Sequence, residues 1–214
     1  MLQNTIVRDL GLTGYQTVWD DMRAFTQQRN HATADEIWIV EHPPVFTLGL
    51  NGKLEHIIDA HAVPVIHCDR GGQVTYHGPG QIVAYILMDL QRRHWGIKKL
   101  VNCLEQAVIE LLAGYDIPAA RKDHAPGVYV DGAKIAALGL RVRRGCTYHG
   151  LSFNVDMDLT PFSSINPCGF EGLQSTQLKA HSAGAGMRVV KTQLISHLTQ
   201  QLFAIAAAPE KHIL

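Results

Sequence analysis

Residues 70–81 have the sequence Arg70-Gly71-Gly72-Gln73-Val74-Thr75-Tyr76-His77-Gly78-Pro79-Gly80-Gln81, which mixes four glycines and a proline with polar and aromatic side chains. Glycine lets the backbone approach a ligand closely, and Pro79 fixes its own φ. The apolar run Ile82–Met88 that follows predicts a buried strand. We therefore expect a shaped loop on a rigid strand, where binding residues are often found. A glycine-rich connection with incidental polar residues is the alternative.

Composition predicts one globular domain over residues 1–214. The chain is 46% hydrophobic and 18% charged, which favours a sizeable core and argues against disorder. Its formal net charge is zero, so binding to nucleic acid through bulk charge is not expected. No apolar run approaches the roughly 20 residues of a membrane span, and the N-terminal residues lack the pattern of a signal peptide. We expect a cytoplasmic protein without a membrane span.

Cysteine and histidine spacing predicts reduced thiols and no metal. The four cysteines contain no Cys-x-x-Cys pair, and the twelve histidines contain no His-Glu-x-x-His motif. Cys168 differs from the other cysteines because it lies between Pro167 and Gly169 in a polar segment. This position suggests an accessible thiol, which is either reactive or an incidental loop residue.

Hydrophobic spacing predicts an alternation of helices and strands. Strands are expected over residues 6–10, 36–41, 45–49, 63–67, 82–88 and 146–156, and helices over residues 15–28, 100–112 and 189–207. Thr13 is expected to cap the first helix, and His42-Pro43-Pro44 to bend the chain between two strands. Asp131-Gly132 predicts a β-hairpin. Lys134 follows that turn, where a lysine usually points to solvent unless something pairs with it.

Two clusters of basic residues stand out, Arg92–Lys99 and Arg141–Arg144. Most such clusters are solvated surface. A docking face for an acidic partner is the alternative for either cluster.

Three stretches together carry a resemblance to a known family. They are residues 70–81, then Gly132-Ala133-Lys134-Ile135-Ala136-Ala137-Leu138-Gly139, and His149-Gly150-Leu151-Ser152-Phe153-Asn154-Val155 continuing to Asn166-Pro167-Cys168-Gly169. In this order they resemble the octanoyltransferases of lipoate biosynthesis. The resemblance implies an α/β fold of the α+β type, with a central mixed sheet flanked by helices, similar to the catalytic domains of biotin and lipoate protein ligases.

The resemblance also implies a set of site residues. Cys168 aligns with the family's nucleophile, Lys134 with the lysine that partners it, and His149 is a supporting residue. The implied contacts to the acyl substrate are Arg70, Gly71, Gly72, Gln73, Val74, Thr75, Tyr76, His77, Ala137, Leu138, Gly139, Gly150, Leu151 and Ser152. The implied donor is octanoyl-acyl carrier protein, with the acyl group on its phosphopantetheine. The implied acceptors are the lipoyl domains of 2-oxoacid dehydrogenases and the glycine cleavage H protein, and neither ATP nor a metal is expected.

The chemistry requires a thiolate, the form of cysteine that attacks a thioester. Lowering a thiol pKa from about 8.5 to neutrality takes roughly 2 kcal/mol. An ammonium about 4 Å away supplies on the order of 4 kcal/mol at an effective dielectric constant of about 20. A charged lysine cannot also accept a proton, so we expect Lys134 to act as base only after Cys168 is acylated. A Cys-His dyad with His77 or His149 is the alternative.

The acyl chain is expected in an apolar slot walled by Ala137, Leu138 and Gly139, where each buried methylene contributes about 0.8 kcal/mol. Backbone amides near Gly150–Ser152 are expected to stabilise the oxyanion. Three other functions remain open. An ATP-dependent lipoate or biotin ligase of the same fold would need no cysteine nucleophile, although no nucleotide loop of the Gly-Arg-Gly-Arg-x-Gly type is present. The others are a non-catalytic binder of acyl carrier protein and a cysteine hydrolase.

Overall fold

The computed structural model describes residues 5–166 and 173–203, which form an α/β arrangement with two sheets. The strands are β1 (Ile6–Leu12), β2 (Glu36–Glu41), β3 (Val45–Leu48), β4 (Val65–His67), β5 (Val74–His77), β6 (Gln81–Leu87), β7 (Gly127–Val130), β8 (Ala133–Arg143) and β9 (Cys146–Asn154). The helices are α1 (Tyr15–Gln28), α2 (Ile97–Ala113), α3 (Leu178–His181) and α4 (Met187–Phe203). Short 3-10 turns occupy Leu54–His56 and Thr160–Ser164.

The central sheet has six strands in the order β1-β2-β6-β9-β8-β7. Strands β1 and β2 run parallel, whereas the other neighbours run antiparallel, so the sheet is mixed. Strand β3 lies at the centre of a second sheet with the order β4-β3-β5. The expected fold class, a central mixed sheet with flanking helices, is confirmed.

Helices cover both faces of the central sheet. Along β2, Ile37 and Ile39 pack in the same core cluster as α2 and α4, whereas Trp38 and Val40 pack in the cluster of α1. This alternation follows from the two-residue period of a strand. A strand buried on both faces is expected to have an apolar run, which explains the sequence Ile37–Val40 within β2.

Most of the expected elements form close to their expected bounds. The bend at Pro43 and Pro44 is confirmed, and it carries the chain from the central sheet into the second one. The last expected helix begins two residues early, and its expected end at residues 204–207 lies outside the described residues. The predicted cap at Thr13 is wrong. Helix α1 begins after Gly14, and the Thr13 hydroxyl donates to the Leu10 carbonyl at 2.6 Å instead.

The stretch 70–81 is not one loop, as its composition suggested. Residues 70–73 form a loop, Val74–His77 is strand β5 paired with β3, and a short turn leads into β6. Threonine, tyrosine and valine favour extended backbone, so strand propensity prevails between the two glycine pairs. The stretch therefore joins the two sheets and lies over the face of the central one.

Candidate active site

A cavity lies between the central sheet and the stretch 70–77. Its walls come from β8, β9, the loop at 70–73, strand β5 and the start of α1. The residues singled out in the sequence that line it are Arg70, Gly72, Gln73, Val74, Thr75, His77, Lys134, Ala137, Leu138, Gly139, His149, Gly150, Leu151 and Ser152. Cys168 lies outside the described residues.

Two of the expected contacts, Gly71 and Tyr76, do not line this cavity. Gly71 donates its amide to the Leu140 carbonyl at 2.9 Å, and so fastens the loop to β8. Tyr76 is buried between Phe46 and Phe162, with ring centroids 5.4 and 5.7 Å away. Both residues pack behind the side chains that line the cavity.

Glycines on β8 and β9 allow the cavity to form. A Cβ atom on Gly150 would lie 1.9 Å from the Ala84 carbonyl oxygen, which no real packing tolerates. A Cβ on Gly139 would lie 3.0 Å from the Gly71 carbonyl oxygen. Gly139 therefore lets the loop at 70–72 approach β8 closely, whereas Gly150, its partner on β9, lets the backbone of β6 approach.

Lys134 reaches the cavity because of a β-bulge. Tyr129 pairs with Lys134 and Val128 pairs with Ala136, which leaves Ile135 as an extra residue in β8. The bulge turns Lys134 to the same face as Ala137, whereas unbroken alternation would have placed it on the other face. Its side chain is buried, with 6% exposure. Lys134 is therefore the less common case, in which a lysine just beyond a hairpin turn is buried instead of pointing to solvent.

The Lys134 side chain and backbone have separate contacts. Nζ lies 3.4 Å from the Pro126 carbonyl oxygen and 5.3 Å from the ring centroid of Tyr129. The Lys134 amide donates to the Gln174 carbonyl at 2.8 Å, and the Thr176 amide donates to the Lys134 carbonyl at 2.9 Å. The chain that follows residue 172 therefore pairs directly with β8 at Lys134.

Arg70 fixes the position of the loop at 70–73, which forms one wall of the cavity. Its Nη2 donates to the carbonyls of Thr47 and Gln73, both at 2.6 Å, and its Nε donates to the Thr47 hydroxyl at 3.1 Å. These bonds tie the loop at 70–73 to β3. The guanidinium is buried, and it makes no ion pair with any carboxylate of the described residues.

A hydrogen-bond network runs beside the cavity. His77 Nδ1 donates to Gln81 Oε1 at 2.7 Å, and Gln81 Nε2 donates to Asn154 Oδ1 at 2.9 Å. Asn154 Nδ2 then donates to the Thr176 carbonyl at 2.9 Å, and Thr176 is bonded to Lys134. The network connects the imidazole of His77 to the strand pairing around Lys134.

Two histidines near this network are held neutral. Burial, with a smaller contribution from the neighbouring His42, lowers the pKa of His77 to about 3. Burial also lowers the pKa of His42 to about 4, although its bond to the Thr13 carbonyl opposes this. His42 Nε2 lies 2.7 Å from the Tyr85 hydroxyl, and Tyr15 stacks on His77. Neither imidazole carries charge near neutral pH.

At the end of the cavity away from Lys134, the Asp69 carboxylate accepts three hydrogen bonds. It accepts hydrogen bonds from Trp19 Nε1 at 2.9 Å, from His149 Nε2 at 3.0 Å and from the Tyr148 hydroxyl. Burial opposes ionisation of Asp69, but these three bonds outweigh it and hold the carboxyl pKa well below its usual range. Burial lowers the pKa of His149 by more than Asp69 raises it.

Four residues at the site were not expected there from the sequence, namely Tyr15, Tyr85, Asp69 and Asn154. Tyr15 and Tyr85 line the cavity, but both belong to apolar patterns that indicated only core packing. A tyrosine inside an apolar run is a weak signal of a buried hydroxyl that requires a partner. Asp69 immediately precedes the glycine-rich stretch, and that adjacency was the available signal.

The two basic clusters differ in the structure. Arg92 and Arg93 both pair with Asp35, which lies 2.5 and 3.3 Å from their nitrogens. Arg143 and Arg144 are exposed at the turn between β8 and β9. That turn is at the opposite end of β8 from Lys134, so neither cluster lies near the lysine.

The expected oxyanion donors are not available. Strand β9 pairs with β6 on one side and with β8 on the other through Gly150, Leu151 and Ser152. The amides of a central strand are consumed by its two ladders. The expectation that the amides of Gly150–Ser152 stabilise the oxyanion is therefore wrong.

Among residues 5–166 and 173–203, no group of three or more His, Cys, Asp and Glu side chains is placed to hold a metal ion. No helix within those ranges is long and apolar enough to cross a membrane.

Comparisons with known proteins define the class. The family of the lipoyl protein ligase A/B catalytic domain matches residues 15–199, and the chain belongs to it. Within it the chain is an octanoyltransferase, an acyltransferase that acts in protein lipoylation. The octanoyltransferase of Thiobacillus denitrificans is 63% identical over 174 residues, which cover 81% of this chain and 80% of that protein.

Solved structures share the fold at low identity. The crystal structure of lipoate-protein ligase A bound with ATP has a TM-score of 0.77 and 13% identity, over 94% of this chain and 86% of that one. Biotin protein ligase from Aquifex aeolicus, in complex with biotin and ATP, has a TM-score of 0.57 and 13% identity, over 93% of this chain and 70% of that one. These likenesses support the fold alone.

Proposed function

We propose that the protein takes an octanoyl group from octanoyl-acyl carrier protein, holds it as a thioester on Cys168, and transfers it to a lysine of a lipoyl domain. The observation that carries this proposal is the position of Lys134. It is a buried lysine at one end of a cavity with apolar walls. It also pairs with the chain that immediately follows the segment containing Cys168.

In the first step the Cys168 thiolate attacks the thioester carbonyl. A new sulfur–carbon bond forms, the bond to the phosphopantetheine sulfur breaks, and that sulfur leaves as a thiol after taking a proton. One thioester replaces another, so the step needs no ATP. The Lys134 ammonium stabilises the attacking thiolate, since an opposite charge nearby lowers a thiol pKa.

In the second step the acceptor amine attacks the acyl-enzyme. A nitrogen–carbon bond forms, the bond to Cys168 Sγ breaks, and the amine loses a proton. Acylation removes the thiolate charge that favoured the ammonium of Lys134, so Lys134 can release its proton and act as the base. The octanoyl chain lies along Ala137, Leu138 and Gly139, the small and apolar residues of the cavity wall.

A Cys-His dyad is less well supported by the geometry. His149 lies at the end of the cavity away from Lys134, bonded to Asp69. His77 is fully buried, and its Nδ1 is engaged with Gln81. The histidines are therefore assigned to the cavity wall and Lys134 to the chemistry.

The donor distinguishes this function from that of an ATP-dependent ligase, because the two share a fold. Purified protein would be given octanoyl-acyl carrier protein and a lipoyl domain without ATP, and separately free octanoate with ATP. We expect octanoylated lipoyl domain in the first reaction and none in the second. Product only in the second reaction would establish a ligase. Release of octanoate without acceptor would establish a hydrolase, and donor binding without turnover a binding protein.

The proposed partners follow from this chemistry. They are octanoyl-acyl carrier protein and the lipoyl domains of 2-oxoacid dehydrogenases and of the glycine cleavage H protein. No ATP or metal enters the proposed steps. The cytoplasm, where acyl carrier protein is expected to be found, is the proposed location.

A further inference from the structure

The backbone at His149 is strained, and the strain places its side chain. Successive side chains of a strand point to opposite faces. Tyr148 and His149 nevertheless both donate to Asp69, and their rings stack with centroids 5.0 Å apart. A φ of +59° at His149 makes this possible. This conformation is strained for a residue other than glycine, and such strain is concentrated at functional sites.

The strained position leaves one imidazole nitrogen without a partner. A carboxylate only accepts hydrogen bonds, so the neutral imidazole donates from Nε2 to Asp69, and Nδ1 is left as an acceptor. His149 is 1% exposed and lines the cavity. No donor among the residues that the structure describes reaches its Nδ1. A buried acceptor left unpaired is costly, which points to a ligand that supplies the donor.

His149 lies where the end of an acyl chain would arrive. Leu140 of β8 pairs with His149. About five strand steps of ~3.3 Å separate Leu140 from Lys134, or roughly 16 Å, when the extra residue Ile135 is discounted. An extended octanoyl chain spans about 9 Å, since each of its seven carbon–carbon bonds advances the zigzag chain by about 1.3 Å. The side chains of Lys134 and His149 span most of the remaining distance between the two backbone positions.

We propose that Nδ1 of His149 is a hydrogen-bond acceptor for a donor group at the end of the acyl chain, so that the enzyme accepts medium-chain acyl thioesters with a terminal hydroxyl. This inference rests on the proposed function, because it places the acyl carbonyl beside Lys134. The hydroxyl would be desolvated in the cavity, and its bond to His149 offsets that cost. The transfer chemistry is unchanged.

The test compares two donors on the same enzyme. Acyl carrier protein is loaded with octanoyl or with 8-hydroxyoctanoyl, and kcat/KM is measured for transfer to a lipoyl domain. The ratio of the two values is the readout, because any loss of folded protein cancels from it. A 4-hydroxyoctanoyl donor is the positional control, since its hydroxyl would meet the apolar wall instead.

We expect the wild-type ratio of 8-hydroxyoctanoyl to octanoyl to be within about tenfold of unity, and the 4-hydroxy donor to be at least tenfold poorer than the 8-hydroxy donor. His149→Phe should lower the ratio about tenfold, because the hydroxyl then has no partner. His149→Asn should keep the ratio within about threefold of the wild-type ratio. The asparagine side-chain oxygen can lie near the position that Nδ1 occupies in the wild type, and asparagine tolerates positive φ.

Other outcomes overturn the proposal. A ratio that His149→Phe leaves unchanged would mean that Nδ1 does not meet the chain end. The same loss in His149→Asn as in His149→Phe would mean that the imidazole acts only through packing against Tyr148. Failure of the wild type to transfer octanoyl itself would refute the proposed function, and this inference with it.

Discussion

The two ends of the cavity are built in different ways. At one end, Lys134 is set into place by a bulge, and its ammonium lies near a carbonyl and the Tyr129 ring. At the other end, His149 is bonded to an ionised carboxylate and stacked on Tyr148. The first end presents a buried amine to the cavity. The second end holds a fixed neutral acceptor. The proposed roles follow this difference, with transfer chemistry at the lysine end of the cavity and substrate selection at the histidine end.

The largest effect is expected at the lysine end. Lys134→Ala should reduce octanoyl transfer by about 10²–10⁴-fold, because both the thiolate and the base are lost. Lys134→Arg is the matched control, since arginine keeps the charge but does not release its proton. We expect Lys134→Arg to form the octanoyl thioester on Cys168 but not to transfer the octanoyl group to the lipoyl domain. Single-turnover kinetics of each half-reaction and the pH dependence of Cys168 alkylation measure both effects. Unchanged alkylation and unchanged half-reactions in Lys134→Ala would refute the pairing.

Between the two ends of the cavity, a substitution at Gly150 tests how closely β9 packs against β6. Gly150→Ala places a Cβ against the Ala84 carbonyl in the middle of the sheet. We expect the free energy of unfolding to fall by about 3 kcal/mol or more, at the upper limit for overpacked cores. Gly186→Ala, with nothing within 4 Å of its Cβ position, is the control and should change it little. Urea denaturation measures both variants, and equal stabilities would contradict the described register of β6 and β9.

The neutral histidines make stability depend on pH. His42, His77 and His149 all have folded-state pKa values below the usual value. Below about pH 6.5 the unfolded chain binds protons that the folded chain does not, so stability falls as pH falls. For His42 the loss continues to about pH 4, at up to about 1.4 kcal/mol per pH unit.

Urea denaturation at a series of pH values measures this slope. We expect His42→Asn to reduce the dependence of the free energy of unfolding on pH. His31→Asn, at an exposed position, should not change this dependence. A stability that stays constant between pH 7 and pH 5 would show that the buried imidazoles are not neutral.

The smallest effect concerns the donor protein. Lys122 is exposed at the lysine end, where its Nζ lies 4.5 Å from the ring centroid of Tyr129. Lys122→Glu should raise the KM for octanoyl-acyl carrier protein about threefold to tenfold at low salt, because charges at the edge of an interface govern encounter. The double variant Arg143→Glu, Arg144→Glu should change it less than about twofold. A larger effect of the arginines would place docking at the histidine end.

The sequence predicted the fold well where one local signal decided the structure. The apolar run of β6 and the Asp131-Gly132 hairpin needed no knowledge of distant residues. The bulge at Ile135 was not predictable, because it depends on the pairing of two strands. For the same reason, no local signal in the sequence predicted the burial of Lys134. The Thr13 cap failed because Gly14, the residue immediately before helix α1, occupies the cap position.

The site was predictable mainly through the three stretches that resemble a known family. Composition alone indicated binding residues in 70–81, but it could not separate Tyr76, which packs behind the wall, from His77, which lines it. Asp69 and His149 meet across the fold, 80 residues apart in sequence, so their contact has no local signature. The positive φ of His149 is likewise a product of tertiary packing.

The central claim is that Cys168 carries the acyl group, and intact-protein mass tests it most directly. The enzyme would be mixed with octanoyl-acyl carrier protein without an acceptor, beside Cys168→Ala as the control. We predict an octanoyl adduct on the wild type alone, and its disappearance when a lipoyl domain is added. No adduct on the wild type, with transfer still occurring once the acceptor is present, would mean direct attack by the amine. That result would contradict the roles assigned to Cys168 and Lys134.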